Sequence, residues 1–196
     1  MKTFVFGLIL GLLIPAAAVY GYFRFGYAPI AAAAPPMPFE KNMASMTLHA
    51  HIQKEAPKKD APIPADEANL SAGASLYKEN CSFCHGLPNQ KATLAAKGMF
   101  PIPPQLWEKD EMVTDDPVGV TYWKVSNGIR MTGMPAFGET LTPTQMWQIS
   151  LLLAKADKLP AQAQSVLSKP AEEAATTPAQ NAPAAQPEHH HDHHSH

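Results

Sequence analysis

The sequence predicts a small all-α domain carried on an N-terminal transmembrane helix, with a disordered linker before the domain and a disordered tail after it. Three observations lead there. An unbroken apolar run of about 20 residues follows Lys2 and matches the length a helix needs to cross a ~30 Å hydrocarbon core. Between residues 66 and 160, apolar positions recur at helical spacing beside capping and stop signals, and no segment alternates as a strand. Many of the 20 prolines, with a heavy alanine load, fall in residues 28–65 and 159–188, where apolar periodicity is missing and an ordered core is not expected. The net charge of −2 and the lack of a basic stripe point away from nucleic acid as a partner.

Taken in order, residues 1–27 hold the run FVFGLILGLLIPAAAVYGYF, closed by Arg24. Tyr20, Tyr22 and Tyr27 cluster at its far end, where amphipathic rings favour a membrane interface. Two readings stay open. An uncleaved anchor fits the length, whereas a cleaved signal peptide fits the small residues of IAAAA at 30–34, although Pro35 and Pro36 make a poor cleavage site. The amino terminus and Lys2 outweigh Arg24, so the positive-inside rule places the rest of the chain outside the cytoplasm. Pro15 would kink the span, which membrane helices tolerate.

Residues 28–65 form the linker. One stretch in it, residues 39–56, is compatible with a short helix that places Phe39, Met43, Met46 and Ala50 near one face. The folded unit spans residues 66–160, the usual size of one small domain. It opens with a helical pattern through Leu70, Gly73, Leu76 and Tyr77. Residues 86–114 lack periodicity and read as loop. Asp116-Pro117 starts a second helix that Asn127-Gly128 stops. Thr142-Pro143-Thr144-Gln145 is a capping box with proline at the first helical position, and the helix it announces runs through Met146, Ile149, Leu152 and Leu153 to a stop at Pro160.

The first helix runs into CSFCHG, residues 81–86, which contains both cysteines of the chain. A thioredoxin-like redox pair would need a βαβ context, and a structural zinc site would need a fourth ligand beyond Cys81, Cys84 and His85. Covalent haem attachment needs what is present: two thiols one helical turn apart to add to the porphyrin vinyl groups, and an imidazole next in sequence for the iron. One haem c is therefore expected, held by Cys81 and Cys84 with His85 as axial ligand. A large apolar ring would also supply the buried surface that so small a domain lacks.

The second axial position calls for a thioether, since His85 is the only imidazole between residues 66 and 160. NGIRMTGMPAFG contains two candidates. Met134, between Gly133 and Pro135 in a tight turn, is preferred to Met131; core packing is the ordinary use of any methionine.

These residues resemble class I cytochromes c of the membrane-anchored, single-haem bacterial kind. The resemblance covers roughly residues 70–160. It rests on Gly73 and Tyr77 ahead of CSFCHG, on Pro104-Gln105-Leu106, on GMPAFG around Met134, and on Trp147 in the last helix. It implies that the Pro104 carbonyl accepts from the His85 ring, with Pro103 the neighbouring alternative, and that Gly73 lets the helix of Trp147 and Leu151 approach closely. It also implies one-electron transfer with no substrate transformed, in a respiratory chain, from a quinol-oxidising complex to a terminal oxidase. Haem peroxidase activity, a haem subunit of a dehydrogenase, and a haem- or metal-binding sensor are the competing functions. Docking is expected around Ser82, Phe83 and the Met134 turn. Lys97, Lys124 and Arg130 are mixed with acidic residues and give that face no clear sign; Arg130 is also a candidate haem-propionate contact. A flexible linker of about 40 residues would let the domain swing over roughly 35 Å.

The chain closes on HHHDHHSH. His189, His190, His191, His193, His194 and His196 are candidate ligands for a divalent transition metal. A solvated tail is the plainer reading. His49 and His51 have no assigned role.

Overall fold

A computed structural model describes residues 1–169, and it is helical throughout. The helices are α1 (Lys2–Arg24), α2 (Glu40–Glu55), α3 (Glu67–Asn80), α4 (Ser82–His85), α5 (Leu94–Lys97), α6 (Val118–Asn127), α7 (Pro143–Ala154) and α8 (Ala161–Ser168). No strand occurs among the described residues. α1 contains Pro15, buries none of its residues, and is the one described helix long and apolar enough to cross a membrane.

The core is a crossing of α3 and α7 with α6 and α8 against it. α3 is started by Asp66, whose carboxylate accepts from the Asn69 amide at 2.9 Å, one of the orphan donors of a helix start. α7 starts as its sequence prescribes. Thr142 accepts from the Gln145 amide at 3.3 Å while the Gln145 side chain accepts from the Thr142 amide at 2.8 Å.

At the crossing, a Cβ on Gly73 would meet the Gln148 carbonyl carbon at 2.7 Å and the Ile149 amide nitrogen at 3.3 Å. Only glycine lets the two backbones lie that close. The contact is one residue along from Trp147, whose ring instead stacks on Tyr122 of α6, centroids 4.1 Å apart. Tyr77, Ala74, Ile149 and Leu152 are fully buried around the crossing.

Two segments outside residues 66–160 pack onto the domain. In the linker, the short helix considered for residues 39–56 forms as α2 and packs on α6. Its inward face is Leu48, Ile52 and Ala56, because these apolar residues find cover there; Phe39, Met43 and Met46, the face picked out by periodicity, stay exposed. The Pro57 backbone passes so close to Gly119 that an added Cβ would sit 2.9 Å from the Pro57 carbonyl carbon. The His51 and Trp123 rings meet edge-on at 5.4 Å. Beyond Pro160 the chain does not leave the fold. α8 lies on α3, buries Ala163 and Leu167 and packs Val166 against the core, so the packed unit extends to Ser168.

Candidate haem-binding site

α3 delivers the chain into α4 through Cys81, whose amide donates to the Tyr77 carbonyl at 2.8 Å. The single turn of α4 then brings Cys84 and His85 round, with both amides donating to the Cys81 carbonyl, at 3.1 and 2.9 Å. Gly86 ends the turn at φ +75°, a left-handed conformation that only glycine adopts without strain.

Cys81, Cys84 and His85 share one apolar cavity of about 370 Å³ with Met134, and Tyr77, Leu106, Val125, Phe137 and Ile149 form part of its wall. That volume lies in the range of small-molecule and cofactor sites. The residues present fit a haem: two thiols, an imidazole and a thioether open onto a space otherwise walled by apolar side chains.

The His85 ring is oriented from behind. Its Nδ1–H donates to the Pro104 carbonyl at 2.8 Å, which leaves Nε2 as the free nitrogen. Burial lowers the pKa of the ring, against a smaller opposing effect of the Pro104 carbonyl, and this favours the neutral imidazole that can ligate a metal. Burial likewise pushes the Cys81 thiol up to about 12, with the neighbouring Cys84 adding to the rise. Tyr77 donates its hydroxyl to the Gly86 carbonyl at 2.9 Å, and burial pushes its phenol well up.

The Met134 turn is held at both ends. Ile129 donates its amide to the Met134 carbonyl at 3.2 Å, and the Met134 amide donates to Thr132 Oγ1 at 3.1 Å. Phe137 and Gly138 donate to the Val125 and Ser126 carbonyls, both at 3.0 Å, stitching the turn to the end of α6. Gly128 makes this possible: at φ +64°, any Cβ there would strike the backbone of Met134, Pro135 and Ala136. Met131, also at positive φ, is 92 % exposed and does not line the cavity.

Residues unremarked in the sequence also line the cavity. Met99 borders it with its Sδ beside Gly133, and Leu48 of α2 reaches it. Lys124 is the one Lys or Arg in the lining among the described residues, whereas Arg130 is exposed and outside it. Helical phase could have flagged Lys124, three residues after the buried Thr121. Nothing in the pattern flags Met99. Phe83, Leu94, Phe100 and Ile102 are exposed apolar residues near the haem motif. The six tail histidines lie outside the described residues.

Comparison with known proteins matches residues 68–151 to the family described as cytochrome c oxidase, cbb3-type, subunit III. This part of the chain is a class I cytochrome c domain. Among curated relatives, the cytochrome domain and its flanks are 34% identical over 111 residues to the quinohemoprotein alcohol dehydrogenase ADH-IIG of Pseudomonas putida, covering 54% of this chain and 14% of that protein. The FixP subunit of a cbb3-type cytochrome c oxidase from Sinorhizobium medicae is 31% identical over 101 residues, covering 47% of this chain and 32% of that one. The chain thus spans less than a third of either relative. No solved structure gives a significant match. The cytochrome match begins within α3, so α1 and α2 are additions to the cytochrome c core.

Proposed function

We propose that the protein is a membrane-tethered one-electron carrier, with one haem c joined to Cys81 and Cys84 and ligated by His85 and Met134. The observation that carries this reading is the single apolar cavity onto which both thiols, the imidazole and the Met134 thioether open. A bound haem supplies one-electron iron chemistry, at a potential that a thioether ligand raises relative to a second imidazole. The chain's own part is to orient, shield and hold. Pro104 fixes the His85 ring, the backbone bonds around Met134 hold its sulfur at the cavity, and the walls keep water from it. His85 and Met134 would both hold the iron, and on this reading the protein carries electrons and transforms no substrate itself.

On this reading α1 is the anchor, and the amino terminus and Lys2, together outweighing Arg24, favour the periplasm for the haem domain. The FixP relative supports a terminal oxidase as partner in a respiratory chain, fed by a quinol-oxidising complex. The dehydrogenase relative favours a second reading, in which the domain takes electrons from a dehydrogenase.

Intact mass and optical spectra of the protein purified from membranes test the proposal. The wild type should be heavier than its amino acids by one haem and show the thioether–iron absorption. Met134→Ala should lose that band and bind carbon monoxide when reduced, whereas Met131→Ala should resemble the wild type. A chain of bare polypeptide mass, or a Met134→Ala spectrum identical to the wild type, refutes it. Electron donation by a purified alcohol dehydrogenase but by no quinol-oxidising complex would select the second reading.

A further inference from the structure

The His85–Pro104 hydrogen bond joins two pieces of chain that nothing in their own geometry holds together. His85 ends the single turn of α4, and Pro104 belongs to an irregular proline-rich loop. Proline has no N–H, so residues 103 and 104 cannot donate to anything nearby. The loop has to be fastened by a neighbour, and the residue that follows is Gln105.

Its side-chain amide lies between the two pieces. Gln105 Nε2 donates to the Cys84 carbonyl at 3.0 Å and to the Pro103 carbonyl at 3.1 Å, so both amide hydrogens are used, one on each piece. The next backbone amide, of Leu106, donates to the His85 carbonyl at 3.2 Å. The orientation of the carboxamide is fixed by chemistry, because turning it over would face its oxygen to two carbonyl oxygens. Oε1 is consequently left buried with no partner, 2.8 Å from where a Cβ on Gly86 would stand. Gly86 is required twice over, for its left-handed φ and for the room its missing side chain gives this amide. A buried acceptor without a partner is a cost that native proteins rarely leave in place, and here it accompanies the two donations.

We infer that Gln105 is a positioning residue for the haem ligand, tying the Pro103–Pro104 loop to the haem-attachment helix so that the Pro104 carbonyl stays on the His85 ring. The inference rests on His85 being the iron ligand proposed above. Gln105 touches neither thiol nor imidazole; it acts through Pro104.

Two variants of the holoprotein test it, Gln105→Met and Gln105→Glu. The readout is solvent exchange of the His85 Nδ1 proton, followed by NMR on the reduced protein, together with the reduction potential as a function of pH. Methionine keeps the length and loses both donors, so exchange should be faster by roughly tenfold or more, the scale of losing a pair of modest hydrogen bonds. The glutamate variant should behave as Met does when ionised. When protonated it regains one donor, so exchange and potential should titrate together in a way the wild type does not. Wild-type exchange in Gln105→Met with haem bound, even alongside a lowered melting temperature, overturns the inference and leaves Gln105 as packing. An exchange-against-pH profile in Gln105→Glu parallel to that of the wild type overturns it equally, should the methionine variant fail to fold. A wild-type protein whose haem-bound spectrum lacks any haem-shifted His85 resonance removes the ligand assignment and this inference with it.

Discussion

Replacing Gly73 by alanine separates two opposed effects by the sign of the result. On helix propensity alone the change is favourable, by about 0.5–1 kcal/mol, because alanine restricts the unfolded chain and suits a helix interior. The crossing says the opposite. An alanine Cβ would fall 2.7 Å from the Gln148 carbonyl carbon and closer still to its oxygen, and both are backbone atoms of α7 that no rotamer change can move away. Ordinary carbon contacts begin near 3.4 Å, so α3 and α7 must part by the better part of an ångström. That loosens the packing of Leu70, Ala74 and Tyr77 against Ile149, Leu152 and Leu153. Overpacking a tight core costs about 1–3 kcal/mol, and an obstruction made of backbone belongs at the top of that range. Net of propensity, the loss is about 2 kcal/mol, or roughly 8–16 °C in melting temperature for a domain of this size. Thermal unfolding of the holoprotein by far-ultraviolet circular dichroism measures it. An unchanged or raised melting temperature in Gly73→Ala would show that the helices do not cross at this glycine.

Tyr77 makes stability fall in alkali. Burial raises its folded-state pKa above the ordinary 10.0, so the unfolded chain loses the phenolic proton first. The stability it contributes is complete below about pH 10 and is lost as pH climbs beyond that, at up to about 1.4 kcal/mol per pH unit. Melting temperatures between pH 9 and 11 should therefore drop more steeply for the wild type than for Tyr77→Phe; parallel slopes would contradict the burial. Tyr77→Phe should also cost about 1–3 kcal/mol at neutral pH by leaving the buried Gly86 carbonyl without its donor. Gly119→Ala should lift α2 off α6, since its Cβ would collide with the Pro57 backbone. Amide exchange at Ile52 and Ala56 should rise by an order of magnitude or more while Leu152 stays protected, and unchanged exchange at those two amides would count against the docking.

What could be read from the sequence was what local chemistry decides. The apolar run that becomes α1, the capping box at Thr142 and Gln145, and the stop at Asn127-Gly128 are each written within a few residues. The close approach at Gly73 came through the resemblance and holds in the backbone, though the contact is with Gln148 and Ile149 and not with the aromatic ring. What could not be read depends on partners distant in the chain. α2 has almost no one-sided periodicity, because its exposed face carries Phe39, Met43 and Met46 while only Leu48, Ile52 and Ala56 turn inward. α8 follows a proline that looks like an ending, and its Leu167 is buried only because α3 leaves a groove for it. Met99 at the cavity and Gln105 beside it sit in a stretch without periodicity, and only the fold brings them to the motif.

The docking of α2 changes how far this cytochrome can travel. With residues 40–56 fastened to the domain, the free chain after α1 shrinks to residues 25–39, about 15 residues, for a root-mean-square span near 20 Å and a fully stretched limit of roughly 50 Å. With α1 in a bilayer, that is a short leash. The domain would pivot beside its anchor, and an electron would pass between proteins already standing shoulder to shoulder in the same patch of membrane.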